Sequence, residues 1–270
     1  MAVRVPVLVE RMEPQISVVV PLRNESANVL PLTERIFAAL GNTSGGVELI
    51  LVDDASSDNT WEQILQARQT YPGLRAIRHS QNKGQSAALW TGFRGSHGNI
   101  IATLDGDLQN DPADLPRMLA SLSDCDMVCG VRTRRADNWL RRVSSSIARS
   151  ARKSVLQMDF ADTGCNLRVF KRTVLDVLPA FDGVHRFMPV FVHNVGLVVK
   201  EVPVTHHPRI AGRSNYGISN RLGRGIRDLI MVRWYLKRQI GRVPLENKNA
   251  PESLLAPKPA GRGSDTTISG

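Results

Sequence analysis

The sequence predicts an α/β fold, in which helices flank both faces of a mainly parallel β-sheet. Along 15–131, short apolar runs alternate with segments whose apolar residues recur at helical spacing, which is the pattern of strand–helix–strand units. Three of the apolar runs stop abruptly at acidic or polar residues, as strands do where their carboxyl ends meet at one edge of such a sheet. Apolar residues make up 42% of the 270 residues, which is enough for a sizeable core.

The first half of the chain gives the clearest elements. A strand is predicted over 16–21, where an apolar run ends in proline, and a helix over 25–40, where apolar residues recur at helical spacing. The elements that follow are a strand over 47–52, a helix over 58–71 that begins at an Asp/Asn/Thr cap, a strand over 74–78, a helix over 85–96, a strand over 99–104, a helix over 112–122 with proline near its first turn, and a strand over 126–131.

After Arg132 the alternation is less regular. The predicted segments are a basic helix over 138–157, an irregular stretch over 162–170 that leads into a strand, helices over 172–178 and 187–195, a strand over 196–204, a polar loop over 207–219 and a second basic helix over 220–239. From Val243 onwards Pro, Lys, Ser, Gly and Thr dominate. The sequence therefore predicts one domain over 1–243 and a disordered tail over 244–270.

The net charge of +10, from 35 Lys and Arg against 25 Asp and Glu, favours an anionic partner: a nucleic acid, a phosphorylated ligand or an acidic membrane surface. A nucleic-acid-binding module is a remote alternative, because aromatic residues total only 5% and acidic strand ends would repel phosphate. The three cysteines show no disulfide or zinc spacing, so buried free thiols are expected. No apolar run approaches the length of a membrane-spanning helix.

Asp105 and Asp107, with Gln109 two residues further on, follow the predicted strand over 99–104. Carboxylate and amide oxygens are ligands that suit Mg²⁺ or Mn²⁺, and these cations in turn suit a diphosphate. The alternative is that the two aspartates only form the turn before the next helix. Two further strand ends, 21–25 and 53–58, are also acidic or polar, and such clustering is costly unless a cation or hydrogen-bond donors offset it.

Four segments resemble, in order, the motifs of family 2 glycosyltransferases with the GT-A (Rossmann-like) fold. They are Val18-Val-Val-Pro-Leu-Arg-Asn-Glu25, Val52-Asp-Asp-Ala-Ser-Ser-Asp-Asn-Thr60, Asn82-Lys-Gly84 and Leu104-Asp-Gly-Asp-Leu-Gln-Asn-Asp-Pro112. The segments 162–168 and 209–216 resemble the polyprenyl-phosphate branch, which includes dolichol-phosphate mannose synthase and bacterial undecaprenyl-phosphate sugar transferases. The resemblance covers roughly 15–240.

The resemblance implies inverting transfer of a sugar from a UDP- or GDP-linked donor to undecaprenyl or dolichyl phosphate, with Mg²⁺ or Mn²⁺ as cofactor. It assigns about 15–110 to the donor and about 111–243 to the acceptor and membrane. The nucleotide-sugar-binding residues would be Pro21, Arg23, Glu25, Asp53, Asp54, Lys83 and Asp105, and the metal ligands Asp105, Asp107 and Gln109. For Glu25 a simple helix-start role stays open, and for Lys83 a solvated position.

A phosphate acceptor needs cationic receivers, and arginine matches phosphate oxygens well. The expected acceptor-phosphate residues are Arg132, Arg168, Arg209, Arg213 and Ser214, and the expected catalytic residues are Asp107, Arg132 and Arg209. The alternative for each arginine is an ordinary surface position. A strong general base is not expected, because the acceptor phosphate is already ionised near neutral pH. His185 is expected to pack or cap a helix rather than bind a ligand.

A polyprenyl phosphate lies in a bilayer, and two basic amphipathic helices, 138–157 and 220–239, suit the anionic surface of one. We therefore expect peripheral attachment at the cytoplasmic face of the membrane; otherwise the protein is cytoplasmic. The alternative is that both helices pack their apolar faces on the sheet. A soluble family 2 transferase with a non-lipid acceptor is the main functional alternative, and a homo-oligomer remains open.

Overall fold

The structure is a computed structural model that describes residues 15–41, 43, 45–132, 150, 153–208 and 218–239. Seven strands form one sheet in the order β3-β2-β1-β4-β6-β5-β7. The strands are β1 (Ile16–Leu22), β2 (Val47–Asp53), β3 (Leu74–Arg78), β4 (Ile100–Thr103), β5 (Met127–Arg132), β6 (Arg168–Lys171) and β7 (Val199–Val204). Strands from both predicted halves of the chain thus belong to the same sheet.

The sheet is mainly parallel. β1 pairs in parallel with β2 and β4, β2 with β3, and β5 with β7. β6 pairs antiparallel with both of its neighbours, β4 and β5, and within the described sheet it is the one reversed strand. Residues that precede β6 therefore lie at the edge where the other strands end, which we call the carboxyl edge.

Helices flank this sheet on both faces, and 153–156 is also helical. The other α-helices are α1 (Val29–Leu40), α2 (Thr60–Thr70), α3 (Gln85–Gly95), α4 (Leu115–Ala120), α5 (Met188–Asn194) and α6 (Ile218–Arg238). The predicted helix over 112–122 begins as a 3₁₀ turn before it becomes α4, and Pro116 at its start fits the position where a backbone N–H is not needed. The segment predicted as a helix over 172–178 is a 3₁₀ helix, Arg172–Val177.

The core lies in two layers, one on each face of the sheet. Alternate residues of β1 divide between them: Val18 and Val20 pack with α1, α2 and α4, whereas Val19 packs with α3 and α5. Because both faces are covered, the central strands β1, β2 and β4 are mostly apolar, which is why the sequence shows continuous apolar runs there rather than alternation. The predicted α/β class with helices on both faces is confirmed.

The second basic helix, α6, carries apolar residues on two faces instead of the single face expected. Leu229 and Val232 are buried in the core, whereas Ile226, Ile230 and Trp234 are exposed. No helix among the described residues combines the length and hydropathy needed to cross a bilayer. Most of the first basic helix, over 138–157, lies outside the described residues, as does the predicted tail over 244–270. The cysteines, Cys125, Cys129 and Cys165, are buried and free, as expected.

Candidate active site

Three acidic segments meet at the carboxyl edge. β2, β1 and β4 are neighbours in the sheet, with Leu22 opposite Asp53 and Val19 opposite Thr103. The residues that follow these strands are therefore adjacent in space, as the sequence predicts. Arg132 ends β5 at the same edge, separated from β4 by the reversed strand β6.

Asp105 is held by two side-chain amides. Gln85, the first residue of α3, donates from Nε2 to Oδ1 at 2.9 Å. Asn166, just before β6, donates from Nδ2 to Oδ1 at 3.0 Å and to Oδ2 at 3.2 Å. Both oxygens of Asp105 thus accept hydrogen bonds from groups that fix the plane of the carboxylate.

Asp107 lies beside this carboxylate and is 7% exposed. Burial, together with the negative charge of Asp107, raises the pKa of Asp105 to about 6, against a lowering by Asn166 and the nearby arginines. The backbone N–H of Gln109 donates to Asp107 Oδ1 at 3.2 Å. A buried carboxylate with a second negative charge beside it creates a place where a cation is favourable.

At the ends of β2 and β3, on the same edge, is an open pocket of about 540 Å³, lined by Ala55, Ser56, Arg78, His79 and Ser80. Asp53 lies beneath it and is fully buried. Ser56 N–H donates to Asp53 Oδ1 at 3.0 Å, and Arg78 Nε is 3.0 Å from Oδ2. That N–H is not aligned for a hydrogen bond, so Oδ2 accepts none although the ion-pair distance is short. We interpret the contact as an electrostatic one.

Hydrogen bonds connect the loop after β1 to the loop after β2. Arg23 Nη1 donates to the carbonyl oxygen of Asp54 at 2.6 Å, and Asn24 N–H donates to Ser56 Oγ at 2.9 Å. Glu25 N–H donates to Thr60 Oγ1 at 2.9 Å. The predicted nucleotide-sugar-binding residues of the two loops, including Pro21 at the end of β1, are therefore held together by backbone contacts.

Asp54 contacts the segment that leads into α3. Its carboxylate accepts hydrogen bonds from Lys83 N–H and Gly84 N–H, at 2.8 and 2.7 Å, and lies 2.7 Å from His79 Nδ1. Asp54 is 3% exposed, whereas Lys83 is exposed. The two adjacent aspartates thus serve different neighbours, with Asp53 under the pocket and Asp54 against the segment that leads into α3.

On the acceptor side, Arg132 is paired with Asp162, which precedes β6. Nε is 2.7 Å from Oδ2 and Nη2 is 2.8 Å from Oδ1, so both atoms of the guanidinium fork are used. Burial alone would lower the pKa of Arg132, but the hydrogen bond and charge of Asp162 raise it above its ordinary value. A permanently charged guanidinium therefore lies at the carboxyl edge, two strands from Asp105.

Arg168 has its guanidinium inside the fold. The side chain is 1% exposed, Nη1 donates to the carbonyl of His185, and Nη2 donates to the carbonyl of Thr163 at 2.9 Å. A contact with an acceptor phosphate would require these hydrogen bonds to be replaced, so that role stays a prediction. The other expected acceptor residues, Arg209, Arg213 and Ser214, lie outside the described residues.

His185 packs as the sequence suggests. It is buried, and its Nδ1 is 2.7 Å from the hydroxyl of Ser86, which also accepts a hydrogen bond from Gly183 N–H at 2.9 Å. Burial, together with the charges of Arg186 and Arg168, lowers the pKa of His185 to about 3. The imidazole is therefore neutral and joins the start of α3 to the segment before α5.

Sequence reasoning missed several residues of this edge. Arg78 is the last residue of β3 and His79 follows it, so their position at a strand end was a usable signal. Gln85 was recognised only as the start of a helix. Asn166 and Asp162 precede a strand, and only the reversed direction of β6 brings them to the site, which periodicity does not reveal.

The described residues contain no cluster of three or more His, Cys, Asp or Glu side chains arranged to hold a metal ion. Asp105 and Asp107 nevertheless form an oxygen-only pair of coupled carboxylates. Mg²⁺ is commonly bound by only one or two carboxylates, with phosphate oxygens and water completing its shell. The donor set therefore fits a divalent cation that arrives with a diphosphate.

Comparisons with known proteins agree with this arrangement. Residues 17–178 match the model of Glycosyl transferase family 2. The dodecaprenyl-phosphate galacturonate synthase of Rhizobium johnstonii is 38% identical over 233 residues, which make up 83% of this chain and 68% of that protein. The undecaprenyl-phosphate 4-deoxy-4-formamido-L-arabinose transferase of Aeromonas hydrophila is 33% identical over 205 residues, 75% of this chain and 63% of that protein. The chain thus spans about two thirds of the length of these relatives.

Solved structures show the same fold. Glucosyl-3-phosphoglycerate synthase from Mycobacterium tuberculosis, in complex with Mn²⁺, UDP and phosphoglyceric acid, superposes with a TM-score of 0.65 at 21% identity over 86% of this chain and 82% of that one. A mannosyltransferase from Pyrobaculum calidifontis, in complex with GDP-Man and Mn²⁺, gives 0.59 at 20% identity over 85% and 66%. The family match over 17–178 and the relative that is 38% identical show that the chain belongs to glycosyl transferase family 2.

Proposed function

We propose that this protein transfers a sugar, with inversion, from a nucleotide-sugar to a polyprenyl phosphate. The observation that carries the proposal is the order of groups along one sheet edge: the pocket beside Arg78, the Asp105–Asp107 pair, and then Arg132. A nucleotide, a diphosphate with its cation and a phosphate acceptor need these groups in that order. The names of both curated relatives, which act with dodecaprenyl or undecaprenyl phosphate, support the same assignment.

On the donor side, the nucleoside occupies the pocket over Asp53. Oδ2 of Asp53 accepts no hydrogen bond within the protein, and here it accepts an N–H of the base, a group that uracil and guanine both carry. Arg78, whose guanidinium lies 5.5 Å from the ring of Trp61, lines the same pocket and contributes positive charge beside the bound nucleotide. Pro21, Arg23 and Glu25 complete the nucleotide site through the loop after β1.

For the diphosphate, Asp107 and Asp105 hold a divalent cation, Mg²⁺ or Mn²⁺, with the side-chain oxygen of Gln109 as a further ligand. When bound, the cation neutralises the diphosphate and stabilises the charge of the departing nucleotide. Gln85 and Asn166 keep the Asp105 carboxylate in one orientation, so that the site is ready when the donor arrives. Lys83, exposed at the start of α3, adds positive charge on the donor side.

For the acceptor, Arg132 receives the lipid phosphate and orients one of its oxygens toward the anomeric carbon. Asp162 fixes the guanidinium through Nε and Nη2, which leaves Nη1 outside the pair. Because the phosphate oxygen is already ionised, these residues act by positioning and charge rather than as a base. Arg209, Arg213 and Ser214 complete the phosphate site in this proposal, with Arg168 as a predicted further contact.

The proposed membrane contact uses the exposed face of α6. Ile226, Ile230 and Trp234 recur every four residues and are 52%, 62% and 55% exposed. Arg227 is exposed beside them, and the guanidinium of Arg238 lies 4.9 Å from the ring of Trp234. An apolar stripe with arginine and tryptophan beside it suits the headgroup region of an anionic bilayer, here the cytoplasmic face of the cell membrane.

The transfer reaction is tested by incubating the protein with undecaprenyl phosphate, a panel of UDP- and GDP-sugars, and Mg²⁺ or Mn²⁺. We expect a glycolipid by mass spectrometry with the phosphate and none with undecaprenol, which lacks it. Asp107→Asn should abolish the product, whereas Asp124→Asn, a surface carboxylate paired with Lys200, should not. Transfer only to a non-lipid acceptor such as 3-phosphoglycerate would establish the alternative, a soluble family 2 transferase.

The membrane contact is tested by flotation with vesicles that contain or lack anionic lipid. We expect the protein to float with the anionic vesicles, and Ile230→Glu to reduce that fraction. Leu65→Glu is a matched control, because Leu65 is also an exposed apolar residue, 39% exposed, but lies on α2. Equal flotation of both variants, or none for the parent at low salt, would refute the contact. Light scattering on the same samples tests for a homo-oligomer.

A further inference from the structure

The structure assigns a positioning role to Asp54 and His79: together they fix the start of α3, and through Gln85 they fix the carboxylate of Asp105. This inference rests on the proposed function, since it is the donor site that they position. The sequence predicts Asp54 as a nucleotide ligand, whereas this inference makes it a residue that positions the donor site.

The Asp54 carboxylate already has three partners within the protein. Oδ1 accepts from Lys83 N–H at 2.8 Å and lies 2.7 Å from His79 Nδ1, and Oδ2 accepts from Gly84 N–H at 2.7 Å. The residue is 3% exposed. A buried carboxylate with these contacts is satisfied by the protein itself, so it does not depend on a ribose hydroxyl for a partner.

His79 completes the arrangement by bridging to the body of α3. Its Nδ1 faces Asp54, and its Nε2 is 2.9 Å from the hydroxyl of Thr91, two turns into the helix. The backbone N–H of His79 donates to the carbonyl of Asp53 at 2.9 Å, so the imidazole is anchored to the sheet. The ring therefore ties the end of β3, the end of β2 and α3 into one unit.

Gly84, the residue before α3, connects this unit to the start of the helix. Its φ of +87° lies in the left-handed region, and its N–H is held by Asp54 Oδ2. α3 begins at the next residue, Gln85, whose side chain donates to Asp105 Oδ1 at 2.9 Å. A continuous path of short contacts thus runs from Asp54 through Gly84 and Gln85 to the proposed cation-binding pair.

A change in this unit should affect binding of the sugar donor and leave binding of the acceptor unaffected. If the start of α3 moves, Gln85 no longer orients Asp105, and Lys83 is displaced with it. Arg132 belongs to β5 and is held by Asp162, so it lies outside this path. Loss of the His79 contacts should therefore weaken binding of nucleotide and cation without changing the requirement for lipid phosphate.

The test compares three variants of the full chain. His79→Leu removes both ring contacts, His79→Asn keeps an N–H donor near the position of Nδ1, and Thr91→Val removes only the hydroxyl. His97→Leu is the matched control, because His97 Nδ1 also contacts a carboxylate, Glu48 at 3.3 Å, and Glu48 lies on β2 near its amino end. Binding of UDP and GDP with Mg²⁺ is measured by calorimetry, and backbone exchange over 82–88 by hydrogen–deuterium mass spectrometry.

We expect His79→Leu to weaken nucleotide binding about tenfold and to raise the KM for nucleotide-sugar by a similar factor, since displacing a site from its productive geometry is costly. Exchange over 82–88 should be faster, with His79→Asn close to the parent and His97→Leu unchanged at the site. Unaltered exchange and affinity in both His79→Leu and Thr91→Val would overturn the positioning role. A parent protein that binds no nucleotide, but whose His79→Leu variant shows faster exchange, would refute the proposed function and leave the structural link intact.

Discussion

Two hydrogen bonds join Arg132 to Asp162: Nε donates to Oδ2 at 2.7 Å, and Nη2 donates to Oδ1 at 2.8 Å. Asp162 lies before the reversed strand β6 and Arg132 ends β5, so this pair joins two segments that are far apart in the chain. Its partners are 5% and 21% exposed at the side chain, which makes it stiffer than a surface ion pair. An arginine held in this way is preorganised to bind the oxygens of an anion such as phosphate.

Arg132→Lys keeps the charge but loses the planar fork, so we expect it to damage acceptor use selectively. The KM for undecaprenyl phosphate should rise about tenfold, since lysine does not replace arginine at a bidentate site. The KM for nucleotide-sugar should stay within a factor of two. Steady-state kinetics with each substrate varied in turn measure both values, and Arg117→Lys, in a surface pair with Asp114, is the control. Equal damage to both KM values would indicate a structural role instead.

Asp107→Asn should abolish metal-dependent transfer while the fold remains, because the amide is isosteric but cannot offset the charge of a cation. We expect kcat to fall by about 100-fold or more, the size of loss seen when one group that stabilises transition-state charge is removed. Circular dichroism and thermal unfolding should match the parent. Turnover that is unchanged in this variant would remove the metal site from the mechanism.

His185 predicts a pH dependence of stability. Burial lowers the pKa of His185 to about 3 from an ordinary value of 6.5, so between these values only the unfolded chain binds the proton. The free energy of unfolding should therefore fall as pH falls through this window, by about 1.4 kcal/mol per pH unit from this residue alone. Urea unfolding at pH 5, 6 and 7 should show a shallower dependence for His185→Asn than for the parent. Parallel profiles would contradict the buried neutral state.

Ala55 lines the nucleotide pocket with a φ of +55°, a left-handed conformation that alanine adopts at a cost. We expect Ala55→Gly to stabilise the protein by up to about 1 kcal/mol, after the extra freedom of glycine in the unfolded chain is subtracted. Ala55→Val should destabilise it by about 1 kcal/mol or more. Ala38→Gly, within helix α1, provides the control and should lose stability. Chemical denaturation distinguishes these signs.

Much of the donor half could be predicted from sequence, because its signals are local. The apolar runs that became β1, β2 and β4 end within a residue or so of the predicted positions, and each is followed by its acidic segment. Parallel neighbours then bring those segments together without further information. The division of Asp53 and Asp54 between a pocket and a helix start was not predictable, because identical side chains on successive residues give no sign of where each one points.

The acceptor half was harder because its arrangement depends on contacts between distant segments. The resemblance of 162–168 to a family motif predicts that Arg168 contacts the acceptor phosphate, and the structure shows that its guanidinium is buried and donates to the carbonyls of 163 and 185. Charge alone does not distinguish an arginine that faces a ligand from one that supports a turn. On α6, the helical spacing of the apolar residues predicted the helix. It did not predict that some of these residues are buried and others exposed.

The place of β6 in the sheet has a consequence for biosynthesis. β5 leaves the ribosome before β6, but β6 lies between β4 and β5, so β5 cannot join the first four strands until 168–171 has been made. During that interval β4 presents an open strand edge, which favours association with other nascent chains. A translational pause between 132 and 168 would prolong this exposure, and a chaperone that covers strand edges should increase the yield of folded protein.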